Sequence, residues 1–359
     1  MVYGFEEFTT SRSPGYVNSG GVNIGTGFGS YTQTIDTTQL DEGRHYVTVR
    51  AFRHRNAATG GDGGPAVFAD FKKTIYVDRL KPEAEVVSFA PFASSPTTQQ
   101  NRDLIVRSTD ATADSMHFFL DLPANMTDAQ IISMVGTGNS AGGYDRDSFI
   151  RGYTGVRTGN HVATVVTFEL TGNVNVQRFP GLFTQTEFGV GLGDLTSRNG
   201  LQTNDVLGTG VNAFEGVLFS QNALFNAAAD VDANGRIDNL DLFGLGAVLT
   251  AQGASPEVMT AYDTLLVKRG DVNQDGVTNG ADVASLHASF GASDDWLKDL
   301  NVDGTVNLAD VDTLVSDLVR TSFGDFNLDR VVDGADFLIW QRGLGAAGAR
   351  FDQGDATLS

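Results

Sequence analysis

The sequence predicts a multidomain chain in which two all-β domains precede an all-α region of repeated loop-and-helix units. Three observations predict this order. Up to about residue 192, short segments rich in β-branched and aromatic residues alternate with glycine-rich turns, a pattern typical of β structure. From about residue 193 the apolar residues recur at helical spacing, and four acidic segments of twelve residues recur with them. The 359 residues suffice for several domains with cores of their own.

Residues 1–82 are expected to form the first β domain. Residues 45–52 and 73–78 combine β-branched and aromatic side chains and predict two strands. The stretch TIDTTQLDEGRHYVTVRAF, closed by TIYVDRLKP, resembles the last strands of immunoglobulin-like modules in secreted bacterial proteins. The resemblance implies an immunoglobulin-like β-sandwich, shortened at its N-terminal side.

Residues 83–192 are expected to form a second β-sandwich. Strands are predicted at 104–107, 116–122 and 161–170, where β-branched and aromatic residues cluster. Residues 127–135 fit either a short helix or another strand.

Four acidic loops dominate the remaining residues, 193–359. They read DVDANGRIDNLD from residue 230, DVNQDGVTNGAD from 271, DLNVDGTVNLAD from 299 and DFNLDRVVDGAD from 325. We call them loops 1 to 4 and count positions from the first Asp of each. Every loop has Asp at positions 1 and 12 and Asp or Asn at 3, 5 and 9, the arrangement by which a short loop surrounds calcium with oxygen ligands.

A helix is predicted to follow each loop, because positions 13, 16 and 20 are apolar in all four. Residues three and four apart lie on one face of a helix, so these positions form a stripe that is expected to pack in a core. Ser255 and Pro256 mark the start of a further helix as N-cap and first helical residue, and another is predicted within residues 211–226. The stripe residues are Leu242, Leu245, Leu249, Val283, Leu286, Phe290, Val311, Leu314, Leu318, Phe337, Trp340 and Leu344.

A calcium loop that ends in Asp, is followed by one helix and is duplicated resembles the type I dockerin. The segment GDFNLDRVVDGADFLIWQRGLG is similar to dockerin-like repeats at the ends of large secreted bacterial proteins. The resemblance covers residues 193–359 and implies one calcium ion in each loop, about four in all. It implies that positions 1, 3, 5 and 12 bind the ion through their side chains, position 7 through its main-chain carbonyl, and position 9 directly or through a water molecule. The implied ligands are Asp230, Asp232, Asn234, Arg236, Asp238 and Asp241; Asp271, Asn273, Asp275, Val277, Asn279 and Asp282; Asp299, Asn301, Asp303, Thr305, Asn307 and Asp310; Asp325, Asn327, Asp329, Val331, Asp333 and Asp336.

The repeats depart from the dockerin pattern in three ways. Position 6, where a sharp turn favours Gly, is Arg330 in loop 4, a replacement expected to strain that loop by about 1 kcal/mol. Positions 10 and 11 lack the hydroxyl pair that cohesin reads in many dockerins, which weakens the case for cohesin. Residues 194–205 resemble a decayed fifth copy, and Asp355 resembles the first residue of a sixth that the chain truncates. The pairing of these copies into modules stays open.

Composition narrows the choice of partners and location. The chain has a net charge of -20, and residues 201–359 hold 24 of the 44 acidic but only 8 of the 24 basic residues. Such a surface repels nucleic acid and anionic membranes, and divalent ions would relieve its self-repulsion. There is no Cys, so a disulfide framework and a thiol active site are excluded. No apolar run suits a membrane span, and the first residues lack a signal-peptide pattern.

Catalytic motifs are weak in this sequence, so no catalytic residue is assigned. Gly138, Ser140 and Gly142 match a GxSxG nucleophile elbow, with Asp147 and His161 downstream, but no helical pattern follows and a glycine-rich turn explains them better. The five His residues show no paired metal-ligand spacing. Carboxylates that could serve glycosidase chemistry are Asp145, Asp147, Glu169 and Glu187, residue types that any β domain supplies.

The leading hypothesis is a non-catalytic, extracellular or cell-surface region of a larger secreted protein, in which structural calcium stabilises dockerin-like repeats that serve attachment or assembly. The resemblance implies an association with polysaccharide degradation and, as partner, a cohesin-like or other cell-surface protein module, or a polysaccharide. Two alternatives stay open. The chain could be part of a glycoside hydrolase, or residues 83–192 could bind carbohydrate.

Overall fold

A computed structural model describes residues 37–52, 68–92, 100–110, 112–145, 147–184, 191–196, 200–293, 295–346 and 348–355. The chain divides into two compact units, Met1–Lys81 and Pro82–Ser359. The domain boundary predicted after residue 192 lies inside the second unit and stays a prediction.

The first unit contains a two-stranded antiparallel sheet. Strand β1 spans Gly43–Phe52 and strand β2 spans Phe68–Val77, paired from Gly43 opposite Val77 to Phe52 opposite Phe68. The strands predicted at 45–52 and 73–78 fall on these two elements, although β2 begins five residues earlier and ends one residue sooner than predicted. Residues 1–36 and 53–67 of the predicted immunoglobulin-like domain lie outside the described residues.

The second unit begins with seven strands in two antiparallel sheets. One sheet has the order β3-β4-β7-β6 and the other the order β5-β8-β9. Buried residues of both sheets, including Leu104, Met116 and Val165, share one hydrophobic core, because side chains alternate between the two faces of each strand. The strands are β3 Ala84–Pro91, β4 Arg102–Ser108, β5 Ala113–Leu120, β6 Gly142–Asp145, β7 Ser148–Tyr153, β8 Gly159–Glu169 and β9 Val174–Thr184.

The segment that fitted either a helix or a strand is a helix, α1, spanning Asp128–Ser133. Thr127 and Gln130 form a capping box: the Thr127 hydroxyl accepts the Gln130 N–H at 3.4 Å, and Gln130 Oε1 accepts the Thr127 N–H at 2.8 Å. These bonds satisfy N–H groups that a helix start leaves without partners.

The rest of the second unit is helical. The helix Pro256–Arg269 starts as predicted, with the Ser255 hydroxyl accepting the Val258 N–H at 3.4 Å and Pro256 as first helical residue. The helix predicted within residues 211–226 is short. The helices are α2 Thr203–Val206, α3 Phe214–Leu218, α4 Asn239–Ala251, α5 Pro256–Arg269, α6 Gly280–His287, α7 Leu308–Asp312 with its π-helical continuation Thr313–Val319, and α8 Gly334–Gly343. No helix in the described ranges is long and apolar enough to span a bilayer.

The predicted apolar stripe is buried after loops 1 and 3 but exposed after loop 4. Phe337, Trp340 and Leu344 are 57%, 39% and 65% exposed, so the prediction that Trp340 packs in a core was wrong. Helix α8 instead turns Ile339 towards the core of the repeats, where Phe351 is fully buried and packs against Phe326. Phe290, the last stripe residue after loop 2, follows the end of α6 and is also exposed.

Candidate metal centres

The four acidic loops share one backbone conformation. In each, the helix begins at position 10. Position 4 adopts a left-handed conformation although it is Ala, Gln, Val or Leu, and position 6 is left-handed too. Arg330 at position 6 of loop 4 has φ +75°, close to the +82° to +92° of the three glycines at this position. Loop 4 therefore keeps the turn, although a residue with a side chain is conformationally strained in the left-handed region.

The carboxylate at position 12 ties the two ends of its loop together. In loop 3, Asp310 Oδ1 accepts the N–H groups of Leu300 at 2.6 Å and Asn301 at 3.2 Å, and Asp310 Oδ2 accepts the Asn307 N–H at 2.7 Å. The bonds from positions 3 and 9 recur in all four loops. All four position 12 carboxylates are buried. Hydrogen bonds therefore hold one buried carboxylate in place in the first turn of each helix.

The carboxylate at position 1 accepts the main-chain N–H of position 6 in every loop. The distances to Oδ2 are 3.0, 2.8, 2.8 and 2.7 Å in loops 1 to 4. Because the donor belongs to the main chain, Arg330 makes the same bond as the glycines.

Positions 3 and 5 face each other in each loop. In loops 2 to 4 the position 3 Asn donates from Nδ2 to the position 5 carboxylate at 2.8 to 3.0 Å, and in loop 1 Asn234 donates to Asp232 at 2.8 Å. In loop 3, hydrogen bonds from Asn301, and then from Thr305 and Asn307, lower the pKa of Asp303 to about 2. These carboxylates therefore lie in clusters rich in oxygen atoms.

Position 9 has a role that the sequence reasoning missed. It was predicted as a direct or water-mediated metal ligand, yet its Oδ1 accepts the position 11 N–H at 2.7 to 2.9 Å in all four loops and caps the following helix. In loops 2 and 3, the Asn279 and Asn307 amides also donate to the position 7 carbonyls. An Asp or Asn three residues before the Asp of position 12 was the available sign of a helix cap.

Loop 1 brings three carboxylates close together, two of them buried. Oxygens of Asp230, Asp232 and Asp241 lie within 4.8 Å of one another. Burial raises the pKa of Asp230 to about 7 and that of Asp241 to about 8. Among the described residues, Asp230 Oδ1 is buried and has no hydrogen-bond partner. A buried carboxylate oxygen without a donor is costly, and a hard cation with oxygen ligands fits this group.

The decayed copy at residues 194–205 retains part of the same scaffold. Asp205 Oδ1 accepts the Thr196 N–H at 3.0 Å, and its Oδ2 accepts the Gln202 N–H at 2.8 Å, as position 12 does in the intact loops. Asp194 Oδ2 accepts the Gly200 N–H at 3.0 Å. Gly200 is position 7 of this copy, whereas the donor in the intact loops is position 6, and Thr196 and Gln202 stand where the intact loops have Asp or Asn. Positions 4 to 6 of this copy, and the predicted sixth copy beyond residue 355, lie outside the described residues.

The loops pack in alternate order along the chain. Asn239, at position 10 of loop 1, donates from Nδ2 to the Leu300 carbonyl at position 2 of loop 3, at 2.8 Å. Gly280, at position 10 of loop 2, lies so close to position 2 of loop 4 that a Cβ would stand 2.5 Å from the Phe326 carbonyl oxygen. Loop 1 therefore packs on loop 3, and loop 2 packs on loop 4.

A buried arginine, Arg269, connects three parts of the repeat region. Its Nε donates to Asn239 Oδ1 at 2.8 Å, and its Nη1 and Nη2 donate to the carbonyls of Leu297 and Trp296 at 3.0 and 2.9 Å. The guanidinium also lies 4.8 Å from the centre of the Trp296 ring, and burial lowers its pKa to about 10. It joins the helix before loop 2 to loop 1 and to the segment before loop 3.

The other candidate sites have structural explanations. Ser140 follows a single 3-10 turn, Thr137–Asn139, and precedes strand β6, so it lies in a glycine-rich turn without the helix of a nucleophile elbow. His161 is buried with Nδ1 2.8 Å from Asp121 Oδ2 and Nε2 2.8 Å from the Arg157 carbonyl, which leaves neither nitrogen available to a substrate. Glu169 accepts hydroxyl hydrogen bonds from two threonines, and Glu187 lies outside the described residues.

Comparison with known proteins gives little further information. No protein-family model matches the sequence, and no characterised protein matches it. A solved structure described as fibronectin(III)-like modules of Clostridium thermocellum CbhA is similar at 12% identity with a TM-score of 0.19. The similarity covers 38% of this chain and 60% of that one. Likeness of this degree does not define a fold.

Proposed function

We propose that the chain is a non-catalytic, calcium-binding attachment or assembly region of a larger secreted protein. In this proposal, residues 193–359 are dockerin-like repeats that structural calcium stabilises, and the preceding immunoglobulin-like sandwiches act as spacers. The region works outside the cell or at its surface. No specific observation in the described ranges favours the glycosidase or the sugar-binding alternative.

The observation that supports this proposal is the repetition of one oxygen-lined scaffold in four loops. The same four main-chain bonds orient positions 1, 9 and 12 in each loop, and the orphaned Asp230 Oδ1 adds an independent indication in loop 1. The residues that would hold calcium are the side chains of positions 1, 3, 5 and 12, with the position 7 carbonyl. The main role of the position 9 side chain is to cap the helix, and binding of the metal is its additional role.

Calcium would act here as a structural ion. Each loop gathers three or four carboxylates in a segment that already carries a large excess of acid, and a divalent cation would offset their repulsion. Extracellular modules with such loops bind calcium at about 10⁻⁴ to 10⁻³ M. A single site held at 100 times its Kd adds about 2.7 kcal/mol to stability.

The proposed partner is a protein module on the cell surface, cohesin-like or of another kind, in a system that degrades polysaccharides. Positions 10 and 11 support another kind of module, because Asn239 and Gly280 at position 10 are already used in packing between loops. The surface that would meet the partner is therefore expected to differ from that of a cohesin-binding dockerin.

A calcium titration of the chelator-treated full chain tests the proposal. Far-ultraviolet circular dichroism and the melting temperature should both rise with calcium, and Asp310→Asn in loop 3 should reduce the gain. Asp114→Asn is the matched control, because it removes one exposed carboxylate in the β region. Identical ellipticity and melting temperature with and without calcium would refute the proposal.

A further inference from the structure

We infer that calcium in loop 1 stabilises the packing of the repeat region on the β8–β9 hairpin. The hairpin then separates from the repeats of the second unit only after this ion has dissociated. The inference rests on the proposed calcium binding and adds a role specific to loop 1. Its basis is the contact between the hairpin and the first and sixth positions of that loop.

A buried asparagine joins the hairpin to the start of loop 1. Asn160, at the beginning of β8, is 7% exposed. Its Nδ2 donates to the carbonyl of Asp230 at 2.6 Å, and its own N–H donates to the Ala227 carbonyl at 2.8 Å. The main chain at position 1 is therefore held directly by a strand of the β sheet.

Close packing fixes position 6 of the same loop. A Cβ on Gly235 would lie 3.0 Å from Pro180 Cβ and 3.0 Å from Val162 Cγ2. Val162 is a β8 residue, yet its side chain belongs to the hydrophobic core of the repeats. One residue before Asn160, Gly159 lies so close to the Ala227 backbone that any Cβ would overlap with it.

Loops 2 and 3 lack such contacts at position 6. A Cβ on Gly276 or Gly304, the position 6 residues of loops 2 and 3, would meet nothing within 4 Å. The hairpin thus positions the backbone atoms around Asp230, whose Oδ2 accepts the Gly235 N–H while its Oδ1 remains without a donor. An ion bound by this carboxylate would hold positions 1 and 6 in the geometry that fits the hairpin.

Coupling of this kind is reciprocal, because a ligand that favours the docked hairpin is itself bound more tightly when the hairpin is docked. If undocking requires loss of the loop 1 ion, calcium at 100 times the Kd of that site slows undocking-dependent exchange up to about 100-fold. The N–H of Asn160 reports this event, because its acceptor is the Ala227 carbonyl.

Amide hydrogen exchange of the full chain, with and without calcium, tests the inference at residues 159–163. The native chain should show slowing there of up to about 100-fold, Asp230→Asn should lose most of it, and Asp310→Asn, the matched loss of a carboxylate in loop 3, should keep it. If Asp230→Asn does not fold, Asn160→Ala replaces it. That variant should still bind calcium in every loop, but with at least tenfold less slowing at these amides.

Two results would overturn the inference. One is equal exchange at residues 159–163 with and without calcium in a chain that measurably binds calcium. The other is an equal loss of slowing in the loop 1 and loop 3 variants, which would indicate a general stabilisation. A chain that binds no calcium in equilibrium dialysis would instead refute the proposed function itself, so the two failures are distinguishable.

Discussion

Replacing Arg269 by Met is expected to destabilise the repeat region strongly. The side chain is fully buried and makes three hydrogen bonds, to Asn239 Oδ1 and to the carbonyls of Leu297 and Trp296. Methionine can fill part of the space but leaves all three acceptors without a donor. Leaving a buried acceptor without a donor costs about 1–3 kcal/mol, so the loss of all three hydrogen bonds is expected to cost at least about 3 kcal/mol.

Urea denaturation at saturating calcium measures this cost, with Arg320→Met as the matched control. Arg320 is half-exposed and pairs with Asp263 at 2.7 Å on the surface, so its loss should cost less than about 1 kcal/mol. The loss of unfolding free energy in Arg269→Lys should lie between those of Arg269→Met and Arg320→Met. The lysine ammonium group keeps the charge, but it cannot donate to all three acceptors as the planar guanidinium does. A free energy of unfolding for Arg269→Met within 1 kcal/mol of the native chain would refute the assigned role.

Three further outcomes are expected. With calcium removed by a chelator, the free energy of unfolding should fall as pH rises from about 4 to 8. The pKa values of Asp230 and Asp241 in the folded chain, about 7 and 8, lie above the ordinary 3.8. The folded chain therefore keeps protons that the unfolded chain releases in this pH range. Urea titrations at pH 5 and pH 8 check this, and greater stability at pH 8 would contradict it. Arg330→Gly should raise stability by about 1 kcal/mol by relieving the left-handed turn of loop 4; an unchanged urea midpoint would argue against strain there. Gly280→Ala should cost about 1–3 kcal/mol through its clash with the Phe326 carbonyl, whereas Gly334→Ala, with open space at the same position of loop 4, should be neutral or slightly stabilising; equal effects on thermal melting would refute the packing of loop 2 on loop 4.

The local features of the repeats were predictable because they depend on neighbours within twelve residues. The position 1 and 12 carboxylates, the turn at position 6 and the helix that follows each loop are set by hydrogen bonds inside the loop. The N-cap at Ser255 was predictable for the same reason. Strands β4 and β8 were predictable from local clusters of β-branched and aromatic residues, although their partner strands lie far away in the sequence. Position 9 shows the limit of motif reading, since one residue type fits both a metal ligand and a helix cap.

The arrangement of the repeats was not predictable because it depends on residues far apart in sequence. The bond from Asn239 to Leu300 and the contact of Gly280 with Phe326 join alternate loops, an order that spacing along the chain does not reveal. The apolar stripe after loop 4 is exposed, while Ile339 and the distant Phe351 pack with the core of the repeats. Likewise, nothing in the sequence around Asn160 indicated its bond to loop 1.

The number of calcium ions bound by the full chain tests the central claim most directly. Equilibrium dialysis followed by metal analysis should give about four ions per chain, and each Asp→Asn substitution at position 12, namely Asp241, Asp282, Asp310 or Asp336, should remove about one. A chain that retains no calcium at millimolar free concentration would contradict the account, as would four variants that all bind as much calcium as the native chain.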